Sequence, residues 1–218
     1  MFARITWSKV STQRIDAVTS NYREKILPSL RTQSGFLGGI VLADRTNGEG
    51  VAASYWQTAA ALSASEEMAT AGRAEAIKTA GGDMEVIEVD RFEIILQDRT
   101  APVQVGTFVR ANDLLGSTAQ IDATLAFMRE KAIPVLKAQQ GYRALLMMVN
   151  RETGRLLVSS VWSTAADREA SDAAIRGLRQ QASEIAQAQN VRVSLYESLV
   201  AEVSPAAQAA VTATVGTA

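Results

Sequence analysis

Arg4 and Arg110 each stand in a run of apolar residues. A guanidinium there needs either an acid beside it or an anionic oxygen in a cleft. Trp56 follows Ser54 by two residues, as Trp162 follows Ser160, and the period of a strand puts each pair on one face. That arrangement suits a wall for a planar ligand with a hydroxyl beside it, or equally a large aromatic that fills space under a helix. Tyr22 and Tyr55 supply phenols in the first half only, since Met128 and Val161 stand 106 positions later; Trp7 has Asp113 there. Asp16 and Asp122 could act as general bases, although an acid in the first turns of a helix is also what the helix dipole favours. Glu24-Lys25 and Glu130-Lys131 read as solvated helix charges.

Absences bound the chemistry more tightly. The 218 residues include no histidine and no cysteine, so Ser-His-Asp triads, His-ligated zinc, thiolate nucleophiles and disulfides are excluded. No metal and no cofactor is expected. Acids and bases are interspersed at a net charge of −1, and no Lys or Arg run could track a phosphate backbone or an anionic bilayer. Nucleic acid and membrane are therefore not expected partners. The opening Met1-Phe2-Ala3-Arg4-Ile5-Thr6-Trp7 lacks the pattern of a signal peptide, from which a cytoplasmic location is expected.

The elements that must position these residues are legible because the chain repeats itself. Pro28 falls on Pro134, Gly35 on Gly141 and Trp56 on Trp162, and 134 − 28, 141 − 35 and 162 − 56 are all 106. The same shift aligns Arg4 with Arg110, Ser11-Thr12 with Ser117-Thr118, and Arg23-Glu24-Lys25 with Arg129-Glu130-Lys131. Each copy reads as β-α-β-β-α-β. First strands are predicted at Phe2–Trp7 and Val103–Ala111, with caps for the next helix at Ser11 or Thr12 and Ser117 or Thr118. Ile15, Val18, Tyr22, Ile26 and Leu30 form one helix face, and Pro28 and Pro134 should kink or tighten its last turns. Polar glycine loops then join Phe36–Ala43 to Val51–Gln57, and Tyr142–Val149 to Leu156–Ser163, as hairpins. Ala-rich helices follow at about Thr58–Ala80 and Thr164–Gln187, and long final strands at Met84–Leu96 and Val191–Val203.

Two modules are thus expected, 1–97 and 102–203, with a linker at 97–100 and a disordered tail at 204–218. The fold class is α+β: two tandem ferredoxin-like modules. Neither parity of the hairpin strands is consistently polar, as in a sheet buried on both sides. The two sheets are therefore expected to pack on each other as an intramolecular pseudo-dimer, an α+β barrel, with association of whole chains left open.

These residues resemble the antibiotic-biosynthesis monooxygenase (ABM) domain of the dimeric α+β barrel superfamily. The resemblance rests on element order, on Leu27-Pro28…Gly35-Phe36-Leu37-Gly38-Gly39, on Ser54-Tyr55-Trp56-Gln57-Thr58-Ala59-Ala60-Ala61-Leu62, and on the second copy's Ile133-Pro134…Gly141-Tyr142 and Ser160-Val161-Trp162-Ser163-Thr164-Ala165-Ala166. It implies an apolar pocket for a small aromatic or polyketide-like molecule, and cofactor-independent oxidation of a phenol whose own anion passes an electron to dioxygen. Tyr22, Tyr55 and Arg4 are the implied polar or catalytic contacts, and Trp56, Trp7, Ser54 and Trp162 the implied substrate walls, with the first copy favoured for its hydroxyls. The departure is the histidine that haem-degrading members carry on the second helix: this chain has Ser65, Glu66 and Glu67, or Ser171, Asp172 and Ala173. The alternative is a non-catalytic ligand-binding or structural barrel.

Overall fold

The computed structural model describes residues 1–204; the expected tail at 204–218 lies, from residue 205, outside the described residues. The chain divides into two units, 1–92 with 196–204 and 93–195. In each, four antiparallel strands carry helices on one face.

The first unit opens with β1 (Phe2–Val10), longer than expected, followed by a 3₁₀ turn at Thr12–Arg14. Neither Ser11 nor Ser117 caps through its side chain; instead their carbonyls accept from the Arg14 and Gln120 amides at 2.9 and 3.0 Å. The helix then runs as α1 (Ile15–Asn21), a π-helical turn (Tyr22–Ile26) and α2 (Leu27–Arg31). The proline falls after a widened turn, where a kink or a tightening was expected. A regular turn would press the Pro28 ring against the carbonyl four residues back, and the wider turn, in which the Leu27 amide donates to the Tyr22 carbonyl, relieves that clash.

β2 (Phe36–Ala43) and β3 (Glu49–Trp56) form the hairpin, and β3 pairs with β1 on its other edge. Gly48 turns it with φ +78°; a Cβ there would meet the Val10 carbonyl oxygen at 1.9 Å. The single Ala-rich helix expected next is two, α3 (Ala59–Ala64) and α4 (Glu66–Thr79), broken at Ser65. Thr58 caps α3, its Oγ1 accepting from the Ala61 amide at 3.0 Å.

β4 (Met84–Arg99) is the long final strand, and it does not stop at a linker: Gln97, Asp98 and Arg99 pair with Leu146, Leu145 and Ala144. Residues 84–92 belong to the first unit and 93–99 to the second.

The second unit repeats the plan: β5 (Phe108–Leu115), α5 (Ile121–Phe127), a π turn (Met128–Ala132), α6 (Ile133–Lys137), β6 (Tyr142–Asn150), β7 (Arg155–Trp162), α7 (Ala165–Ala170), α8 (Asp172–Ile185) and β8 (Gln189–Val203). The strand expected at Val103 starts at Phe108, because Gln104–Thr107 closes a turn with Gly106 at φ +81°. β8 gives its end to the first unit, where Glu197–Val203 pairs with β2. Strand order is β1-β3-β2-β8 in the first unit and β5-β7-β6-β4 in the second, so, unlike the expected modules 1–97 and 102–203, the first unit takes the end of β8 from beyond the second unit and the second takes the end of β4.

Both faces of the first sheet are buried. Trp56, with Leu27, Leu30 and Leu62, fills the helix side, while Ala3, Ile5 and Tyr55 are buried on the other. Trp162 has the matching place among Ile133, Leu136 and Ile175.

Candidate functional site

Alternation along β1 sets what can face the helices. Arg4, Thr6, Ser8 and Val10 share the helix side, and their cross-strand partners Ser54, Ala52 and Gly50 lie with them. Trp7 and Tyr55 fall on the opposite face, where Trp7 meets Phe92 edge-on with ring centroids 6.2 Å apart. Between sheet and helices the first unit holds a cavity of about 110 Å³, lined by Arg4, Thr6, Tyr22, Ser54 and Arg73 among mainly aliphatic neighbours. The second unit holds one of about 400 Å³, lined by Asn112, Met128, Leu145, Ser160, Ile175 and Arg179 among others.

Many lining positions correspond at the repeat spacing, and two pairs have exchanged bulk. Tyr22 lies over Gly39, whose missing side chain makes room for it: a Cβ there would sit 2.5 Å from the phenol oxygen. Met128 and Leu145 occupy the same places in the second unit. Ile26 likewise packs over Gly72, where a Cβ would come within 3.3 Å, and Ala132 and Leu178 reverse the pair. Gly72 lets α4 come close to the π turn in the first unit, whereas Leu178 and Ala132 both line the larger cavity of the second.

The arginines bind within their own units. Arg4 is 2% exposed; its Nη1 donates to Ser65 Oγ at 2.9 Å, and its Nη2 to the Leu62 carbonyl at 2.7 Å and Glu66 Oε2 at 2.9 Å. The break between α3 and α4 is therefore the socket for the β1 arginine. Arg110 repeats this with Ser171 Oγ at 3.0 Å and the Arg168 carbonyl at 2.5 Å, with Asp172 at 3.7 Å. Ser65 and Glu66, and Ser171 and Asp172, thus hold a strand arginine.

One carboxylate serves three guanidiniums in each unit. Glu66 accepts from Arg4, from Arg73 at 3.0 Å and from Arg91 at 2.6 Å. Burial pushes its pKa up, but hydrogen bonds from Arg91 and Arg73 and the charge of Arg4 prevail and hold it at about 2. Asp172 accepts from Arg179 at 2.7 Å and Arg176 at 2.8 Å beside Arg110; the Arg176 hydrogen bond, opposed by desolvation and aided by Arg179, lowers its pKa. Burial lowers the Arg4 and Arg110 pKa values from the ordinary arginine range.

Of the residues singled out by sequence, Arg4, Tyr22 and Ser54 line the first cavity, and Trp7, Tyr55 and Trp56 do not. Trp56 and Trp162 are wholly buried, each indole Nε1 donating to the serine two residues earlier at 3.0 Å, and neither is among the lining of its unit's cavity. Burial, with Tyr55 and Glu202 adding to it, raises the Tyr22 pKa; its phenol is a donor at neutral pH and not a base. Asp16 pairs with Arg45 at 2.9 Å on the surface, away from either cavity. The hydroxyl count favoured the first copy, whereas the larger cavity lies in the second. Sequence reading passed over Asn112, Thr124, Arg73 and Arg179, although the two arginines share the 106 spacing. Among the described residues no group of three or more acidic side chains could hold a metal ion, and no helix is long and apolar enough to cross a membrane.

No family model matches the chain. Two uncharacterized proteins of Mycobacterium tuberculosis (strain ATCC 25618 / H37Rv) are similar to it: Rv2557 is 27% identical over 164 residues, 75% of this chain and 72% of that protein, and Rv2558 is 29% identical over 159 residues, 73% and 66%. Among solved structures, an anthrone oxidase-like protein superposes with a TM-score of 0.63 at 12% identity, covering 94% of both chains. An uncharacterized ferredoxin fold protein related to antibiotic biosynthesis monooxygenases, from Listeria monocytogenes, gives 0.52 at 8% over 90% and 94%. LmHde, a heme-degrading enzyme of the same species, gives 0.51 at 8% over 89% and 98%. At such identities the likeness establishes the fold, which is α+β and ferredoxin-like, of the kind found among ABM-like proteins.

Proposed function

We propose that the second unit's cavity binds a small aromatic or polyketide-like molecule and that the chain oxidises it with dioxygen as a cofactor-independent monooxygenase. The observation that carries this is the cavity of about 400 Å³, apolar along Leu114, Leu145, Leu156 and Val158 and punctuated by Asn112, Ser160 and Arg179. Its volume suits a ligand of two or three rings. Three guanidiniums sharing one carboxylate leave surplus positive charge beside it, which favours a substrate's phenolate over its phenol. The phenolate passes an electron to dioxygen. Where a ring methylene becomes a carbonyl, one oxygen atom stays on carbon and the other leaves as water with the two methylene hydrogens, so no external reductant is needed. The constant spacing of elements supports a tandem duplication as the origin of the two units.

A non-catalytic binding protein is the second reading, favoured by the engagement of Glu66 and Asp172 with arginines, which leaves neither as a ready base. Oxygen uptake against anthrone- and quinol-type phenols in metal-free buffer tests the first reading, with Asn112→Leu and Met128→Trp as variants that alter or fill the cavity. Uptake without added cofactor, lost in Met128→Trp, is expected. Ligand-induced stabilisation without uptake would replace it with the second reading, and neither effect would sink both.

A further inference from the structure

The first unit's cavity differs from the second in more than size. Arg4 Nε and Arg73 Nη1 are buried and have no hydrogen-bond partner, and both side chains line the cavity. The remaining groups of the Arg4 guanidinium are engaged with Ser65, Leu62 and Glu66, and Arg73 Nη2 with Glu66 and Thr70. Glu66 is already shared with Arg91, so the local charge is positive and the two orphaned N–H groups point to an acceptor from outside the chain.

We infer that this cavity is a site for a short aliphatic carboxylate, its oxygens taken by Arg4 Nε and Arg73 Nη1 and its chain lying among Val18, Ile26, Leu30 and Val41. Three features select that class. A charged acceptor answers surplus guanidinium charge better than a neutral one. The aliphatic lining disfavours a hydrated inorganic ion such as phosphate, which would leave oxygens unpaired. An apolar cavity of about 150 Å³ takes benzene, so one of about 110 Å³ admits a body of a few carbons and excludes the ring systems proposed for the second unit. The two sites are independent, and this one stands whether or not the chain oxidises anything.

The test uses the whole chain, with butyrate as probe, butyramide as its neutral counterpart and inorganic phosphate as the second anion. Calorimetric titration is paired with observation of the Arg4 Nε–H resonance in protein labelled with ¹⁵N-arginine. Butyrate should bind saturably and shift that resonance, and butyramide and phosphate should not. Affinity should fall at least tenfold in Arg73→Gln. Ala69→Leu, which fills the cavity without touching a guanidinium, should abolish binding and keeps the test sharp should Arg73→Gln not fold. Equal responses to butyrate and butyramide would assign the two N–H groups to water and overturn the site, as would butyrate binding that survives Ala69→Leu or no saturable binding to the wild type.

Discussion

Glu66 holds together three cationic side chains from β1, α4 and β4, and its protonation state sets whether they attract or repel the centre of the unit. Its pKa in the folded chain, about 2, lies below the ordinary 4.5. A depressed carboxylate contributes stability that is present above its ordinary value and is lost as pH falls through the folded one. Glu66→Gln should therefore melt below the wild type at neutral pH, by a margin that stays constant down to the ordinary carboxylate range. The margin should then close between 4.5 and about 2. Thermal unfolding followed across that window measures it, and a gap that ignores pH would refute the assignment. Sequence reading gave Arg4 the right pair of alternatives, an acid partner or a ligand oxygen, but could not name the acid: Ser65 and Glu66 were seen as the place of a missing histidine, and nothing local to them marks the helix break that brings them to β1.

At the scale of elements, the parts announced by short-range chemistry were legible. Gly48 and Gly154, Thr58 and Thr164, and the alternation around Ser54 and Trp56 each need only their neighbours to be read. Thr58 and Thr164 cap α3 and α7 through Oγ1 at 3.0 Å, and Thr58→Ala should cost about 1 kcal/mol in chemical denaturation, whereas Thr12→Ala, in a turn without a side-chain cap at its start, should cost markedly less. Equal costs would contradict the cap assignment. Harder to read were features set at a distance. Pro28 signals an irregular turn but not its direction, and the widening to a π turn in both units follows from where the α2 and α6 prolines fall. The cavities were hidden for a similar reason: exchanges such as Tyr22 and Gly39 for Met128 and Leu145 move bulk between helix and sheet, and residue sizes read along either half do not say how far the two layers then stand apart.

For the whole molecule, the decisive fact is which strand completes which sheet. A fragment ending at Gln97 contains every helix of the first unit yet lacks Glu197–Val203, the partner of β2. Its Gly38–Ala43 edge would present unpaired amides and carbonyls. It should self-associate or aggregate, and a peptide spanning 196–204 should restore a monomer, both followed by sedimentation. A well-behaved monomer without the peptide would mean that β2 does not need β8. The modular boundaries expected from the repeat missed this, because self-comparison reports where copies begin and is silent on which copy uses a strand.

The shared strands also order events in time. Synthesis delivers the first ninety-two residues of the first unit, but the strand that closes its β2 edge is made only after the whole of the second unit. Nascent chains stalled short of residue 196 should leave that unit open to protease, and release past residue 203 should protect it. Although its first strands are made before any of the second unit, the first unit cannot finish folding until residue 203 has emerged, and the second, made in between, is the one free to finish first.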